Sequence, residues 1–239
     1  MQRTASCGLI VLLAALAHAQ SPDLDTIVSR MVAVQREDAT RVHAFTVRRD
    51  YQILDKQMAS RAQVVASITF VPPNQREYKI ESAQGGLGEK VLRDFLARET
   101  EPSREPKHKE IGTENYDFRL AGAGVVDGRS CYVLALLPKR EEKELIRGKA
   151  WVDSETFQIR RVEGAPVKSP SWWIHDVYVL MSFAEVDGMW LRILTHATAN
   201  IRFKGRYIMV VRDLEYQPVQ PEVVRNGSHG LFAGAVIHP

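Results

Sequence analysis

The chain has 239 residues, and its 32 basic and 29 acidic residues leave a formal net charge of +3 at pH 7. This balance is too even to indicate a nucleic-acid-binding protein, which would carry a marked excess of basic residues. The length is sufficient for one domain with a sizeable hydrophobic core.

The first 19 residues have the form of a secretory signal peptide. Arg3 precedes an apolar run, Gly8 to Ala17, and Ala17-His18-Ala19 has the small-x-small form of a cleavage site. The run is too short to span a bilayer, and the alternative interpretation is a buried N-terminal helix. We expect export and cleavage after residue 19. Since Cys7 leaves with the signal, the mature chain would keep only Cys131 and could form no internal disulfide.

Two segments have the periodicity of amphipathic helices. Ser21-Pro22-Asp23 is typical of a helix start, and a stripe of apolar residues predicts a helix from Pro22 to about Glu37. A second helix is predicted from Leu87 to about Arg98. Its predicted apolar side consists of Leu87, Val91, Leu92, Phe95 and Leu96.

Three strands are predicted between the two helices. Apolar and polar residues alternate from Phe45 to Ile53 and from Ala62 to Phe70, and Tyr78 and Ile80 mark a shorter third strand. After the second helix, Glu99 to Glu110 contains charges and prolines without a period. We therefore predict a mobile surface loop there.

A ladder of antiparallel strands is predicted from Asn115 to Tyr216. Asp127-Gly128 and Asp187-Gly188 are tight-turn signals within it. Its predicted strands are Tyr116–Leu120, Cys131–Leu137, Leu145–Val152, Phe157–Glu163, Val177–Val186, Met189–Phe203 and Arg206–Tyr216.

One strand of this ladder, Cys131 to Leu137, is apolar on both faces. Side chains alternate between the faces of a strand, and an antiparallel sheet usually leaves one face in water. Both faces of this strand therefore need cover, and a bound hydrophobic molecule is one candidate for it.

These elements predict a mainly β protein with two helices. Nine or ten strands joined by hairpins indicate a meander, and a sheet of that size must curl. We predict an incomplete antiparallel β-barrel, or half-barrel, whose concave side is covered by a helical lid. The domain would span residues 20–217, followed by an irregular tail over residues 218–239.

No catalytic or metal-binding motif is present. Cys131 lies in an apolar run, which raises the pKa of a thiol and makes it unreactive. The histidines lack the spacing of metal ligands, and Asp153 and Glu155 are better explained as a hairpin tip than as a pair of catalytic acids. We therefore expect no enzyme activity, no cofactor and no metal site.

The order of elements and several segments resemble the outer-membrane lipoprotein-sorting family, the LolA/LolB-like lipoprotein carriers. The resemblance implies an incomplete barrel with a helical lid over an apolar cavity, and periplasmic binding of lipoprotein acyl chains or other lipids. It also implies that an arginine on an early strand contacts the lid, and Arg48 and Arg49 lie in the comparable strand. The segments that carry the resemblance are Gly128–Leu134, Pro138-Lys139, Gly148–Asp153, Phe157–Gly164, Glu185–Leu191 and Asn200–Tyr216.

Apolar residues within the predicted strands are candidates to line such a cavity, since ligand pockets are mostly apolar. For each of them, ordinary core packing is the alternative interpretation. The candidates are Phe45, Val47, Phe70, Trp151, Tyr178, Phe183, Trp190 and Phe203.

Two functions remain open at this point. The first is a periplasmic carrier or binding protein for lipoprotein acyl chains or other lipids. The alternative is an envelope sensor or scaffold of the same fold that binds a protein partner without lipid. The alternative is suggested by the charged segments Glu99–Glu110 and Lys139–Glu144 and by Trp172-Trp173. Neither function involves nucleic acid or a stable membrane span.

Overall fold

The computed structural model describes residues 22–73, 75–101 and 110–219, which form two α-helices and ten β-strands. The helices are α1 (Leu24–Arg41) and α2 (Leu87–Thr100). The strands are β1 (Phe45–Asp55), β2 (Ser60–Val71), β3 (Gln75–Gln84), β4 (Tyr116–Val126), β5 (Arg129–Pro138), β6 (Ile146–Asp153), β7 (Ile159–Pro166), β8 (Ile174–Val186), β9 (Met189–Ile201) and β10 (Gly205–Pro218). Neither of these two helices is long and apolar enough to cross a membrane.

Three predicted segments fall partly or wholly outside the described residues. They are the signal peptide over residues 1–19, residues 102–109 of the predicted loop, and the tail beyond residue 219. The start of the predicted loop is corrected by the structure. Glu99 and Thr100 form the last turn of α2, where the Thr100 hydroxyl donates to the carbonyl of Leu96 at 2.9 Å.

All ten strands form one antiparallel sheet in the order β3-β2-β1-β10-β9-β8-β7-β6-β5-β4. The sheet is a meander except at one place, where β1 pairs with β10. The first three strands and the last seven are therefore two meanders joined along a seam. The edge strands β3 and β4 are not paired with each other, so the sheet does not close. The predicted fold class, an incomplete antiparallel barrel with two helices, is confirmed.

The tight turns form where the sequence predicts them. Asp127 and Gly128 have φ values of 49° and 76°, and Asp187 and Gly188 have φ values of 51° and 74°. Two consecutive left-handed residues are the mark of the turn that matches the twist of a two-residue hairpin. These turns fix the register of β4 with β5 and of β8 with β9.

Helix α1 covers one half of the sheet. Its buried side consists of Ile27, Val28 and Met31, which belong to one apolar cluster with Leu134 and Leu136 of β5. We call the sheet face that packs against the two helices the inner face. The helix continues four residues past the predicted end, because the residues up to Arg41 are still compatible with a helical turn.

The double-faced burial predicted for β5 is present. Leu134 and Leu136 lie on the inner face, whereas Cys131 and Val133, which alternate with them, are buried on the outer face. Trp151 of β6 lies directly opposite Val133 and covers it. A Cβ atom at Gly124 would lie 3.1 Å from the Trp151 indole nitrogen, so this glycine leaves the space that the ring needs. Side chains of the sheet itself therefore cover the outer face here.

Helix α2 covers the other half, over β1 to β3. Leu92 and Leu96 are fully buried in a second apolar cluster that includes Tyr51 and Val64. The beginning of the helix lies close to β2, since a Cβ atom at Gly88 would lie 2.7 Å from the Cβ atom of Ala62. The two helices therefore occupy different parts of the inner face.

Candidate functional site

A cleft of about 960 Å³ opens at one end of the molecule, between the N-terminal half of α2 and the turn that joins β9 to β10. Five segments form its walls: the end of β1 with the following turn, the start of β2, the first two turns of α2 with Gly85 before them, the start of β8 with Trp173 before it, and the β9–β10 turn with the start of β10. Helix α2 packs on β1, β2 and β3, and the sheet continues past it with β10, β9 and β8. The cleft lies beside the helix, over this continuing part of the sheet.

The inner wall of the cleft is apolar. Leu87 and Val91 are one helical turn apart on α2 and lie on the same side of it. They are 76% and 41% exposed, so the predicted apolar side of α2 is only partly used for the core. An apolar ligand would remove these side chains from water. The apolar lining residues are Ile53, Leu87, Val91, Trp173, Ile174, Ile201 and Tyr207.

The rim of the cleft is basic. Six lysines and arginines line it against two acidic residues, Asp55 and Asp94. Asp55 is already engaged, since its carboxylate accepts from Arg61 at 2.8 Å and from two backbone N–H groups. The cleft therefore presents an excess of positive charge. The basic residues are Lys56, Arg61, Lys90, Arg202, Lys204 and Arg206.

A group of charged residues fastens the opposite end of α2 to the sheet. Glu99, in the last turn of α2, accepts from Arg49 Nη1 at 2.9 Å, from the Tyr51 hydroxyl at 2.9 Å, and from Arg192. Arg49 also binds the Asp213 carboxylate, with Nη2 3.0 Å from Oδ2. We call these five residues the latch. It joins α2 to β1, β9 and β10.

Ionisation strengthens the latch. Burial alone would raise the pKa of Glu99, but the charges of Arg192 and Arg49 and the hydrogen bond from Tyr51 outweigh it and hold that pKa below its usual value. Burial and the neighbouring Glu99 charge raise the pKa of Tyr51 well above its usual range, so its hydroxyl stays protonated. The hydrogen bonds to Glu99 are therefore charge-assisted, which makes them stronger than neutral ones.

Of the two arginines predicted to contact a lid, Arg49 reaches α2 through the latch. Arg48 lies one residue away on β1 and its side chain leaves the opposite face of the strand. It pairs with Glu81 of β3, with Nε 2.7 Å from Oε2. The structure thus distinguishes the two neighbouring arginines, which the sequence left equivalent.

The eight residues predicted to line a cavity are not lining residues of the cleft. Phe45 and Val47 are buried in the α2 cluster, and the ring of Phe45 lies 5.6 Å from that of Phe70 and 5.8 Å from that of Tyr216. Phe183 packs against the α1 cluster. These four predicted residues therefore fill the layer between the sheet and the helices.

The other four lie apart from one another. Trp151 is on the outer face under Arg161, and the Trp190 indole N–H donates to the carbonyl of Ile159 at 3.0 Å. Tyr178 is half-exposed. Phe203 was predicted inside a strand, but β9 ends at Ile201 and Phe203 lies in the following turn with a φ of 65° and 96% exposure. The predicted strand extended two residues too far, because the alternation of Ile201, Arg202 and Phe203 continues the strand pattern into the turn.

The residues of the cleft carried two signals in the sequence. The predicted apolar side of α2 includes Leu87 and Val91 in addition to the residues that pack in the core. In addition, Arg202, Lys204 and Arg206 alternate around a Gly205 turn, which concentrates charge at one end of the sheet. For Trp173, beside the exposed Trp172, the sequence suggests only a partner-binding surface and gives no signal of a cleft.

Nucleophile and metal chemistry find little support in the described ranges. They contain no group of three or more His, Cys, Asp or Glu residues that could hold a metal ion. The Cys131 thiol is buried and donates to the carbonyl of Arg129 at 3.4 Å. Burial, with the neighbouring charge of Asp153, raises its pKa, so the reactive thiolate is disfavoured.

No family model and no curated protein matches the sequence. Solved structures do resemble the fold. An outer-membrane lipoprotein-sorting protein domain from Vibrio parahaemolyticus is 10% identical with a TM-score of 0.45, over 84% of this chain and 98% of that one. A DUF1329 family protein from Desulfovibrio piger is 13% identical with a TM-score of 0.43, over 82% and 93%. A LolA superfamily protein from Nitrosomonas europaea is 14% identical with a TM-score of 0.37, over 84% and 96%. The family that the sequence resembles is thus among these structural neighbours.

Proposed function

We propose that this protein is an exported lipid-binding protein of the cell envelope, and that it holds an acyl chain of a lipid or a lipoprotein in the cleft beside α2. The observation that carries the proposal is the apolar inner wall, where Leu87 and Val91 leave the core and face the open space. A water-exposed apolar wall is unfavourable in a protein unless something covers it.

The dimensions of the cleft suit such a ligand. Pockets that hold small molecules usually have volumes of about 300–1,000 Å³, and the cleft has about 960 Å³. Each CH₂ group removed from water contributes roughly 0.8 kcal/mol. A chain with ten buried methylenes would therefore gain about 8 kcal/mol before the costs of association, which is enough for binding without specific polar contacts.

In this proposal α2 is the lid. The latch holds its C-terminal end on the sheet through Glu99, while its N-terminal half forms one side of the cleft. The ligand would then enter beside the first turns of α2 and leave the latch intact. Carriage between membranes is the role that agrees best with a ligand held in an open cleft.

Titration with a fluorescent fatty acid tests the proposal. We expect the purified protein to bind it, and a Leu87→Gln/Val91→Gln variant to bind at least about tenfold more weakly, because two apolar contacts become polar. Glutamine is a good helix former, so α2 should remain helical.

Leu120→Gln is the matched control, because Leu120 is an exposed leucine of β4 that does not line the cleft. It should bind the fatty acid as tightly as the unaltered protein. The proposal fails if the unaltered protein takes up no fatty acid and its organic extract contains no lipid by mass spectrometry. It also fails if the α2 variant and the control bind equally well.

A further inference from the structure

The two most exposed large apolar side chains in the described part of the chain lie together at the mouth of the cleft. They are Phe203, 96% exposed at the tip of the β9–β10 turn, and Trp172, 79% exposed before β8. Met58 projects from the neighbouring β1–β2 turn and is also exposed. None of the three belongs to either apolar cluster, so a role in core packing does not explain them.

The backbone at Phe203 points to the same conclusion. Its φ of 65° is left-handed, a conformation that bulky residues rarely adopt. The turn is closed by the hydrogen bond from Lys204 N–H to the Ile201 carbonyl at 3.0 Å, which leaves the aromatic ring outside. Glycine or asparagine would suit this position better on conformational grounds. The phenylalanine is therefore best explained by something that its ring contacts outside the protein.

Positive charge is interleaved with these rings. The Arg202 guanidinium lies 5.8 Å from the centre of the Trp172 ring and 5.6 Å from that of Phe203. Lys204 and Arg206 follow around the same turn and line the basic rim of the cleft. The outermost side chains at this end are thus exposed aromatic rings, and basic side chains lie between and beside them.

We propose that this end of the molecule docks on the surface of an anionic phospholipid bilayer. The docking face consists of Met58, Trp172, Arg202, Phe203, Lys204 and Arg206. Aromatic rings prefer the headgroup level of a bilayer, and clusters of lysine and arginine are attracted to anionic headgroups. Charge complementarity favours a bilayer over an apolar protein groove, since the cleft mouth has six basic and two acidic side chains.

The docking face surrounds the mouth, so docking would turn the cleft towards the bilayer. The inference goes beyond ligand uptake and does not depend on it, because the rings of Trp172 and Phe203 do not line the cleft and the apolar ligand wall lies on α2 and inside the cleft. A protein with an acidic, apolar surface is the other possible occupant of the docking face.

Co-sedimentation with vesicles tests the proposal. We expect the protein to sediment with vesicles that contain phosphatidylglycerol and at least about tenfold less with pure phosphatidylcholine vesicles, and we expect added salt to weaken the binding. Two variants should each lose most of the binding: Trp172→Ser/Phe203→Ser, which removes the rings, and Arg202→Gln/Lys204→Gln/Arg206→Gln, which removes the charges.

The matched control is Val125→Ser/Lys143→Gln, which removes an exposed apolar side chain and an exposed cation elsewhere on the surface. It should sediment like the unaltered protein. Equal binding to both kinds of vesicle, or unchanged binding by the two docking-face variants, would overturn the proposal. Absence of binding to either kind of vesicle would also overturn it, and would make a protein the occupant to look for.

The fatty-acid titration distinguishes a failure of the docking proposal from a failure of the lipid-binding proposal. The Trp172→Ser/Phe203→Ser variant should still take up soluble fatty acid, since neither residue lines the cleft. The Leu87→Gln/Val91→Gln variant should still sediment with anionic vesicles. Loss of both activities in both variants would contradict the division of roles between the docking face and the cleft.

Discussion

At the scale of single residues, Asp153 is the most strongly bound carboxylate outside the latch. It lies at the end of β6 and is buried, and it accepts from the N–H groups of Glu155 at 2.9 Å and Thr156 at 3.0 Å. Arg160 donates to it at 2.6 Å and Arg129 at 3.2 Å. Burial alone would raise the pKa of Asp153, but these donors outweigh it and hold that pKa far below its usual value. The interpretation of Asp153 as a hairpin-tip residue agrees with this geometry.

The lowered pKa predicts a pH dependence of stability. Because the folded-state pKa lies below the unfolded one, Asp153 stabilises the fold fully above about pH 4 and loses this effect as pH falls through the folded value. At pH 7, Asp153→Asn should lower the free energy of unfolding by roughly 3 kcal/mol, since two arginines lose their buried partner. Urea denaturation at several pH values measures this.

Glu155→Gln is the control at the same turn. Glu155 is exposed and pairs with Arg129 at 2.8 Å, so its replacement should change stability by less than about 1 kcal/mol at any pH. If Asp153→Asn lost as much stability at pH 2 as at pH 7, relative to the unaltered protein, the ionised carboxylate would not be the cause.

At the scale of elements, the latch predicts that α2 is held by its last turn. Glu99→Gln should weaken three charge-assisted hydrogen bonds, take from Arg192 its carboxylate partner and leave Arg49 paired with Asp213 alone, at a cost of roughly 2–4 kcal/mol. Because no hydrogen bond or ion pair of the latch involves α1, amide hydrogen exchange should accelerate in α2 and stay unchanged in α1. Mass spectrometry of the exchanged protein resolves the two helices.

Arg48→Met is the matched control, because it removes an arginine–glutamate pair from the neighbouring position of β1. That pair is largely exposed, so its loss should change neither stability by more than about 1 kcal/mol nor the exchange of α2. Equal acceleration of exchange by both substitutions would show that the latch does not hold α2.

The elements that could be predicted are those that local patterns specify. Alternation identified β1 and β2, and Asp127-Gly128 and Asp187-Gly188 identified the β4–β5 and β8–β9 turns. The pairing of β1 with β10 could not be predicted in this way, because it joins segments that share no local signal. The apolar side of a helix also does not say how much of it the sheet will cover, so the sequence does not reveal that Leu87 and Val91 stay exposed.

The candidate site was harder to predict than the fold for a related reason. Aromatic residues in strands were the natural candidates, yet Phe45 and Val47 are buried in packing and Trp151 lies on the outer face. The cleft is instead formed by turns and helix ends that come from distant parts of the chain. The family resemblance implied only that an arginine of an early strand contacts the lid, and it left Arg48 and Arg49 equivalent.

At the scale of the whole molecule, two separate apolar clusters share one continuous sheet. Leu134 belongs to the α1 cluster and Leu96 to the α2 cluster, and both are fully buried. Leu134→Ala and Leu96→Ala should each lower the free energy of unfolding by about 2–4 kcal/mol. Since the two clusters have no member in common, the losses should add in the double variant. The double variant should still unfold in one transition because the sheet joins the clusters.

Urea denaturation followed by circular dichroism and by tryptophan fluorescence checks both statements. The two signals should change together in the unaltered protein and in all three variants. Separate transitions for the two signals would show that the halves unfold independently. A double variant that is much less or much more stable than the sum predicts would show that the clusters are coupled.

The seam between β1 and β10 has a consequence for how the protein is made. Arg49 and Asp213 meet across it although they are 164 residues apart in the sequence. During synthesis β1 therefore emerges early and must wait for β10, the last of the ten described strands, before its second edge is paired, and contacts of such long range form slowly. Until then the unpaired edge of β1 can pair with other chains. A helper that holds the nascent chain, or rapid export before folding, would protect this protein more than one whose neighbouring strands follow each other in sequence.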